Sequence, residues 1–282
     1  MPEALAAYYS AQYNARAMIP DHPQIFERWK TRSQTAREHE PCHLDLAYGP
    51  SAAEKLDIFP AHGECSALLV FIHGGYWRSL DKSDFSYIAR PFTERGVSVA
   101  LLNYALCPQV SIETIVKQNL LAIAWLWHNS SRYGANPGRL YVAGHSAGGH
   151  LTAMMLAARW NDYMPELPHN LVKGGLAISG LYDLEPMVYA QFLNVDLKLD
   201  KTLARNLSPV GMPPATSAPL YTAVGGDESD EFKRQNALIA KTWRNAFAGD
   251  IAMPGCNHLT VMEELGNPDS ALFKGAMKMM GL

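Results

Sequence analysis

Short, continuous apolar runs recur along the chain at the length of β-strands. The clearest is Ala67–Ile72, and the pattern returns at Val97–Leu102, Leu140–Ala143, Gly175–Ile178 and Leu220–Val224. Central strands that are covered on both faces have this uniform composition, because neither face meets water. Alternating or short strand-like patterns predict two antiparallel edge strands and one further strand, at His43–Gly49, Lys55–Phe59 and Asp250–Met253.

Segments with apolar residues at helical spacing lie between these runs. They are Ile112–His128, Ala147–Arg159 and Glu231–Phe247, with Leu259–Leu265 and Ala271–Met280 closing the chain. Strands that alternate with helices predict an α/β fold, in which a mostly parallel central sheet carries helices on both faces. We expect one such domain over residues 1–282, because single α/β domains often exceed about 200 residues.

Two segments stand outside this alternation. Residues 1–40 are polar but carry Tyr13 and Trp29 among several aromatics at helix-face spacing, which predicts a helical arm that packs on the body. Residues 184–214 show no clear strand pattern and contain Pro209, Pro213 and Pro214. This second stretch is long enough to form a cap or lid over a site.

Composition narrows the class of protein. Of the 282 residues, 48% are apolar, and 24 Lys and Arg against 27 Asp and Glu give a formal net charge of −3. Such a composition excludes a disordered chain, and the lack of a basic excess argues against nucleic acid as a partner. The apolar runs are far shorter than the ~20 residues of a membrane span, so no membrane partner is expected. The N-terminal residues also lack the pattern of a signal peptide.

The cysteines at 42, 65, 107 and 256 form no CxxC pair and no short repeated spacing. In a chain of this length we expect them to be reduced, which predicts a cytoplasmic location. The expected partner is a small-molecule substrate, and the sequence leaves open whether the chain forms a homodimer.

Candidate chemistry begins at residues 144–148, which read Gly-His-Ser-Ala-Gly between a predicted strand and a predicted helix. This is the context of a nucleophile elbow, a tight turn that holds a serine in strained backbone angles at a helix N-terminus. Gly144 and Gly148 would supply the room that the turn needs. Ser146 is therefore the candidate nucleophile, and the alternative is a glycine-rich packing turn.

A serine nucleophile needs a histidine base and an orienting carboxylate. With this elbow the chain order is serine, acid, histidine, and His258 is the one histidine beyond the late strands. It is the candidate base. His145 and His150 are expected to be structural or exposed.

The acid is open among three carboxylates. Asp227 and Glu228 lie at the end of a late strand, where the acid of this arrangement belongs. Asp183 follows an earlier strand but would also suit a helix N-cap. Asp230 and Glu231 are expected to be ordinary acids in the first turn of a helix.

A second glycine-rich loop, HGGYW at residues 73–77, directly follows the first buried strand. Loops of this type aim backbone N–H groups at the oxyanion of an acyl-transfer intermediate. The expected donors come from four residues: Gly74, Gly75, Tyr76 and Ala147. The alternative is a β-turn with core aromatics. Metal-ligand spacings, a phosphate loop and a dinucleotide fingerprint are absent from the sequence, so no metal and no cofactor are expected.

Together these motifs resemble the kynurenine formamidase (arylformamidase) group of α/β-hydrolases, which is related to the hormone-sensitive-lipase-like esterases. The resemblance covers most of the chain through HGGYW, GHSAGGH, SGLYDLEP, GGDESDEFKRQ, NHLTVMEEL and the N-terminal QYNARAMIPD. It implies an α/β-hydrolase fold with Ser146 as nucleophile and His258 as base. Animal members carry an Asp as the acid in the column of Glu228, so the resemblance favours Glu228, with Asp227 close behind.

The resemblance also implies a reaction. It points to a serine hydrolase that removes a formyl group from an aryl amide like N-formylkynurenine, through an acyl-enzyme, in tryptophan catabolism. Tyr76 and Trp77 would bind the aromatic leaving group. Two other functions stay open: a short-chain carboxylesterase that acts on aryl or alkyl esters, and a non-catalytic binding protein on a hydrolase fold.

Overall fold

An eight-stranded sheet runs through the computed structural model, which describes residues 2–282. Its order is β1-β2-β4-β3-β5-β6-β7-β8. The pairs β1–β2 and β2–β4 are antiparallel, and the other pairs are parallel. In chain order the strands are β1 (His43–Ala47), β2 (Lys55–Phe59), β3 (Ala67–Ile72), β4 (Val97–Leu102), β5 (Leu140–His145), β6 (Val172–Ile178), β7 (Leu220–Gly225) and β8 (Phe247–Met253).

Helices of very different lengths connect these strands. In chain order they are α1 (Pro2–Tyr13), α2 (Ala15–Met18), α3 (His22–His39), α4 (Ala89–Thr93), α5 (Ile112–Asn129), α6 (Ala147–Ala157), α7 (Trp160–Tyr163), α8 (Gln191–Leu197), α9 (Lys201–Asn206), α10 (Asp230–Thr242), α11 (Thr260–Glu263) and α12 (Ala271–Met279). None of the helices within residues 2–282 is long and apolar enough to cross a bilayer.

Both faces of the sheet are covered, because alternate side chains of the central strands enter two separate cores. Leu68 and Val70 of β3 pack in one apolar cluster with residues of α5 and α6. Leu69 and Phe71 pack in the other, with residues of α3 and α12. All six residues of β3 are buried. The predicted α/β-hydrolase fold class, a mostly parallel sheet with helices on both faces, is confirmed.

The boundary between the late helix and the last strand was predicted wrongly. The helix α10 ends at Thr242, and Phe247 begins β8. Charged and apolar residues alternate in α10, whereas half-buried and exposed residues alternate in β8, as they do in an edge strand. Trp243 follows the helix, and its indole N–H donates to the carbonyls of Pro209 and Met212 at 3.1 and 2.7 Å.

The first forty residues form α1, α2 and α3. The longest of these helices, α3, packs on a 3₁₀ helix at Lys82–Ile88 that was not predicted from the sequence. Ser33 donates to the Asp84 carbonyl at 2.8 Å, and the rings of Trp29 and Phe85 lie 5.3 Å apart. Residues 184–214 fold as α8, α9 and two 3₁₀ turns.

Candidate active site

The turn between β5 and α6 holds Ser146 in an unusual backbone conformation, with φ of 57° and ψ of −116°. A Cβ on Gly148 would lie 1.9 Å from the Ile72 carbonyl oxygen, and one on Gly144 would lie 2.2 Å from the Gly148 carbonyl oxygen. Only glycine fits at either position, so the turn has the geometry of a nucleophile elbow. The Ser146 amide donates to the Ile178 carbonyl at 2.8 Å, which fixes the turn to β6.

Glu228 and His258 form a buried pair beside this turn. The His258 Nδ1–H donates to Glu228 Oε2 at 2.6 Å. The other carboxylate oxygen accepts hydrogen bonds from the Gly225 amide at 2.7 Å and the Ser179 hydroxyl at 2.5 Å. The Glu228 side chain is fully buried. With Nδ1 engaged in this way, Nε2 is the imidazole nitrogen that remains free to exchange a proton.

The other two candidate acids lie elsewhere. Asp227 is exposed, and its amide donates to the Cys256 carbonyl at 3.0 Å. Asp183 lies 3.3 Å from the guanidinium of Arg234. Of the three carboxylates considered from the sequence, Glu228 is therefore the one that contacts His258.

Glu231 differs from the expectation of an ordinary first-turn acid. It is buried and accepts hydrogen bonds from the Tyr13 hydroxyl at 2.7 Å and from Arg234 Nε at 3.0 Å. Tyr13 belongs to α1, so Glu231 ties the N-terminal arm to α10. The sequence contains no local signal for this contact, because the two residues are 218 positions apart.

The HGGYW loop lies against the elbow. A Cβ on Gly74 would lie 3.1 Å from Ser146 Cβ, and Gly75 and Tyr76 both adopt positive φ, of 96° and 52°. Within residues 2–282, the backbone amides of Gly75, Tyr76 and Ala147 take part in no hydrogen bond of the protein. Unpaired amides next to the serine are what an oxyanion hole requires.

Two side chains flank the loop, and the first of them, Tyr104, was not anticipated from the sequence. The Tyr104 hydroxyl donates to the His73 carbonyl at 2.7 Å, and the two rings stack 4.2 Å apart. Tyr104 follows the end of β4, and carboxyl ends of parallel strands meet at one edge of a sheet, which is the signal that could have found it. His145 lies buried on the other side, where its Nε2–H donates to the His258 carbonyl at 2.8 Å.

Trp77 does not lie at the cavity, where the sequence prediction placed it. It is completely buried, lies outside the cavity lining, and meets the ring of His150 edge-on with the centroids 5.1 Å apart. The large indole fills the apolar core that packs against α6, where it loses contact with water. Burial also lowers the pKa of His150 to about 4, so that imidazole is neutral.

A cavity of about 290 Å³ opens above Ser146 and His258. Its floor comes from the HGGYW loop, the turn after β5 and the loop after β8, and comprises Gly75, Tyr76, His145, Ser146 and His258. Its roof comes from the N-terminal arm and α8 and comprises Tyr13, Asn14, Ala15, Arg16, Phe26, Trp29, Phe192 and Asp196. Floor and roof are joined where the Tyr76 hydroxyl donates to the Tyr13 carbonyl at 2.6 Å.

Within residues 2–282, no group of three or more His, Cys, Asp or Glu side chains is arranged to hold a metal ion. The expectation that the enzyme needs no metal stays a prediction. The site is instead made of a serine at an elbow, a buried carboxylate–histidine pair and a loop with free amides.

Comparisons with known proteins agree on one family. The BD-FAE family model matches residues 56–210. The chain is 29% identical to kynurenine formamidase from Salmo salar over 97% of this chain and 92% of that protein, and 28% identical to kynurenine formamidase from Danio rerio over 89% and 86%. A crystal structure from Silicibacter sp. TM1040, which carries a provisional thioesterase name, is 31% identical over 94% of this chain and 97% of its own, with a TM-score of 0.84. The chain therefore belongs to the BD-FAE family and to the kynurenine formamidase-like group of α/β-hydrolases, and it is an enzyme that hydrolyses an amide or an ester bond.

Proposed function

We propose that the enzyme is a serine hydrolase that removes a formyl group from an aryl amide resembling N-formylkynurenine. The observation that carries this proposal is the 2.6 Å hydrogen bond between His258 and the buried Glu228, with His258 and Ser146 on the same cavity. A carboxylate that orients an imidazole beside an elbow serine is the constellation of acyl-transfer hydrolases. The match to kynurenine formamidases over most of the chain supports formyl as the acyl group that is transferred.

In this mechanism Ser146 Oγ attacks the formyl carbonyl while His258 Nε2 takes the hydroxyl proton. Glu228 keeps Nδ1 protonated and stabilises the imidazolium that forms. The amides of Tyr76 and Ala147 are donors for the oxyanion. His258 then gives its proton to the departing arylamine, and water repeats the sequence on the formyl-enzyme to release formate.

The cavity suits a small acyl group on a large aromatic leaving group. A formyl group needs almost no room on the acyl side, and the roof offers the half-buried rings of Phe26 and Phe192 to a leaving group, backed by the buried rings of Tyr13 and Trp29. Aromatic rings pack well against one another at centroid distances of about 4.5–7 Å. The bulk of the roof therefore favours an aryl substrate.

A short-chain carboxylesterase is the second candidate, because the same constellation serves ester hydrolysis and the Silicibacter relative carries a thioesterase name. A series of p-nitrophenyl esters from acetate to hexanoate, assayed beside N-formylkynurenine, separates the two. We expect kcat/KM to be highest for the formamide and to fall along the ester series, by about 10- to 200-fold for each methylene that the site cannot accommodate. A maximum at butyrate or longer without formamide cleavage would assign the enzyme as an esterase. If no substrate in the series is turned over, the result would favour a non-catalytic binding protein.

A further inference from the structure

Two arginines stand at the rim of the cavity, and one of them is neutralised. Arg78 donates to Asp196 Oδ2 at 2.7 Å and to the Phe192 carbonyl at 2.6 Å. Arg16 has one hydrogen bond, a long one of 3.4 Å to the Ser79 hydroxyl. Among residues 2–282, no carboxylate forms an ion pair with Arg16. Most of its N–H donors are therefore left for a ligand or for water.

The local structure fixes Arg16 at this rim. The Asn14 side chain caps α2 by accepting a hydrogen bond from the Ala17 amide at 3.2 Å. Ala15 and Ile19 on either side are both buried and anchor the short helix to the body. Arg16, between them, is exposed at the mouth, where its guanidinium carbon lies 5.3 Å from the centre of the Phe26 ring.

The charges that line the cavity do not balance. Apart from the histidines, its charged residues are Arg16, Arg78 and Asp196, which leaves one positive charge without a partner. Part of the Arg16 side chain is exposed, but desolvation of its guanidinium by the surrounding protein and the neighbouring Arg78 both lower its pKa, so the folded protein makes this cation less favourable than it is in water. An anion that enters the cavity would relieve both effects.

We propose that Arg16 binds a carboxylate on the leaving-group side of the substrate, so that the enzyme prefers aryl amides that carry an acidic side chain. The inference rests on the proposed function for the aryl amide, but the binding of a carboxylate at Arg16 does not depend on which bond is cleaved. A guanidinium is planar and always charged, and its forked N–H groups match the two oxygens of a carboxylate. The carboxylate is distant from the reacting bond and unchanged during the reaction, so the contact lowers KM and leaves kcat nearly constant.

The test compares substrates that differ only in charge. N-formylkynurenine and its side-chain carboxamide form one pair, and 3-acetoxybenzoate and 3-acetoxybenzamide form an ester pair with the same difference. Each is assayed with the wild-type enzyme and with Arg16→Gln, Arg16→Lys and Arg132→Gln. Arg132→Gln is the matched control, because it removes the same charge from an exposed residue outside the cavity.

We expect the wild-type enzyme to favour the carboxylate by about 5- to 10-fold in kcat/KM, which is the scale of a charge-assisted contact at a partly exposed site. Arg16→Gln should abolish this preference through KM, Arg16→Lys should keep part of it, and Arg132→Gln should keep all of it. An equal preference in the wild type and Arg16→Gln, or no preference in the wild type, would overturn the inference. Failure of the proposed function gives a different result: neither formamide is cleaved, and the ester pair alone then decides the role of Arg16.

Discussion

The floor of the cavity and the outer part of its roof, around Arg16 and Phe192, are held in place very differently. On the floor, the carboxylate that orients His258 is fully buried and accepts three hydrogen bonds of 2.5–2.7 Å. On the roof, Arg16 is exposed and has one bond of 3.4 Å, and Phe192 is half-buried on a seven-residue helix. A rigid floor preserves the geometry that acyl transfer needs. The exposed part of the roof, around Arg16 and Phe192, is where substrate preference can differ between related enzymes, because loops and short helices tolerate change.

The largest effect on activity should come from removing the proposed nucleophile on the floor. We expect Ser146→Ala to lower kcat by about 10⁶, because loss of a triad serine removes covalent catalysis altogether. The free energy of unfolding should stay close to that of the wild type, since the serine hydroxyl makes no capping hydrogen bond to α6. Initial rates on N-formylkynurenine and p-nitrophenyl acetate check this, and retention of a tenth of the activity would remove Ser146 from the mechanism.

The next largest effect should show which carboxylate, Glu228 or Asp227, orients His258. Glu228→Gln should lower kcat by on the order of 10² or more, because an amide at this position no longer holds the catalytic tautomer of His258 or stabilises its imidazolium. Asp227→Asn is the matched control, one residue away and exposed, and should stay near wild-type activity. Steady-state kinetics of both variants decide the assignment, and a more damaging Asp227→Asn would move the acid to Asp227.

A third test concerns His150, which is buried against Trp77. Burial lowers the pKa of His150 from the usual 6.5 to about 4, so below pH 6.5 the unfolded chain takes up a proton that the folded chain refuses. The free energy of unfolding should therefore be highest above about pH 6.5 and fall with pH, by on the order of 2 kcal/mol between pH 6.5 and 5 from this group. Urea unfolding at pH 7 and pH 5 measures it. His150→Gln should be less stable at pH 7 but should lose less on acidification, and an unchanged pH dependence would contradict the assignment.

The smallest effect should come from the joint between floor and roof. Tyr76→Phe deletes the hydroxyl that donates to the Tyr13 carbonyl and leaves that carbonyl without its partner, at a cost of about 1 kcal/mol in the free energy of unfolding. We also expect a few-fold loss in kcat/KM, because Tyr76 lies in the HGGYW loop, whose amides we propose as oxyanion donors. Tyr48→Phe is the control, since its hydroxyl donates to the Asn103 carbonyl at the same 2.6 Å but lines no part of the cavity. Equal losses of activity in both variants would mean that the joint has no special role.

Features that depend on neighbouring residues were the ones that could be predicted from the sequence. The bounds of β3 and β4 agree with the predicted strands, because every residue of both is apolar or buried and the pattern has no competing interpretation. Gly148 is required by the Ile72 carbonyl of β3, but Gly144 is required by the Gly148 carbonyl within the turn itself, and the spacing of both glycines around Ser146 is visible in the sequence. The elbow at Ser146 could therefore be identified without the fold.

Features that depend on the whole fold could not be predicted in this way. Asp227 and Glu228 are adjacent, and only the path of the chain to His258, 30 residues later, decides which of them meets the imidazole. Trp77 was expected at the substrate because it follows two glycines, but the core next to α6 had room for it. Arg16 lies within the N-terminal segment QYNARAMIPD, far from Ser146 and His258 along the chain, and the segment alone does not show that Arg16 reaches the cavity.

Covalent labelling of the nucleophile tests the central claim most directly. The enzyme is treated with a p-nitrophenyl alkylphosphonate, digested with trypsin and analysed by mass spectrometry. We expect one equivalent of phosphonate on the peptide of residues 140–159, at Ser146, with activity lost in proportion, and no label on Ser146→Ala. Loss of activity with the label on another residue, or full hydrolytic activity in enzyme that takes up no label, would contradict a serine mechanism at this elbow.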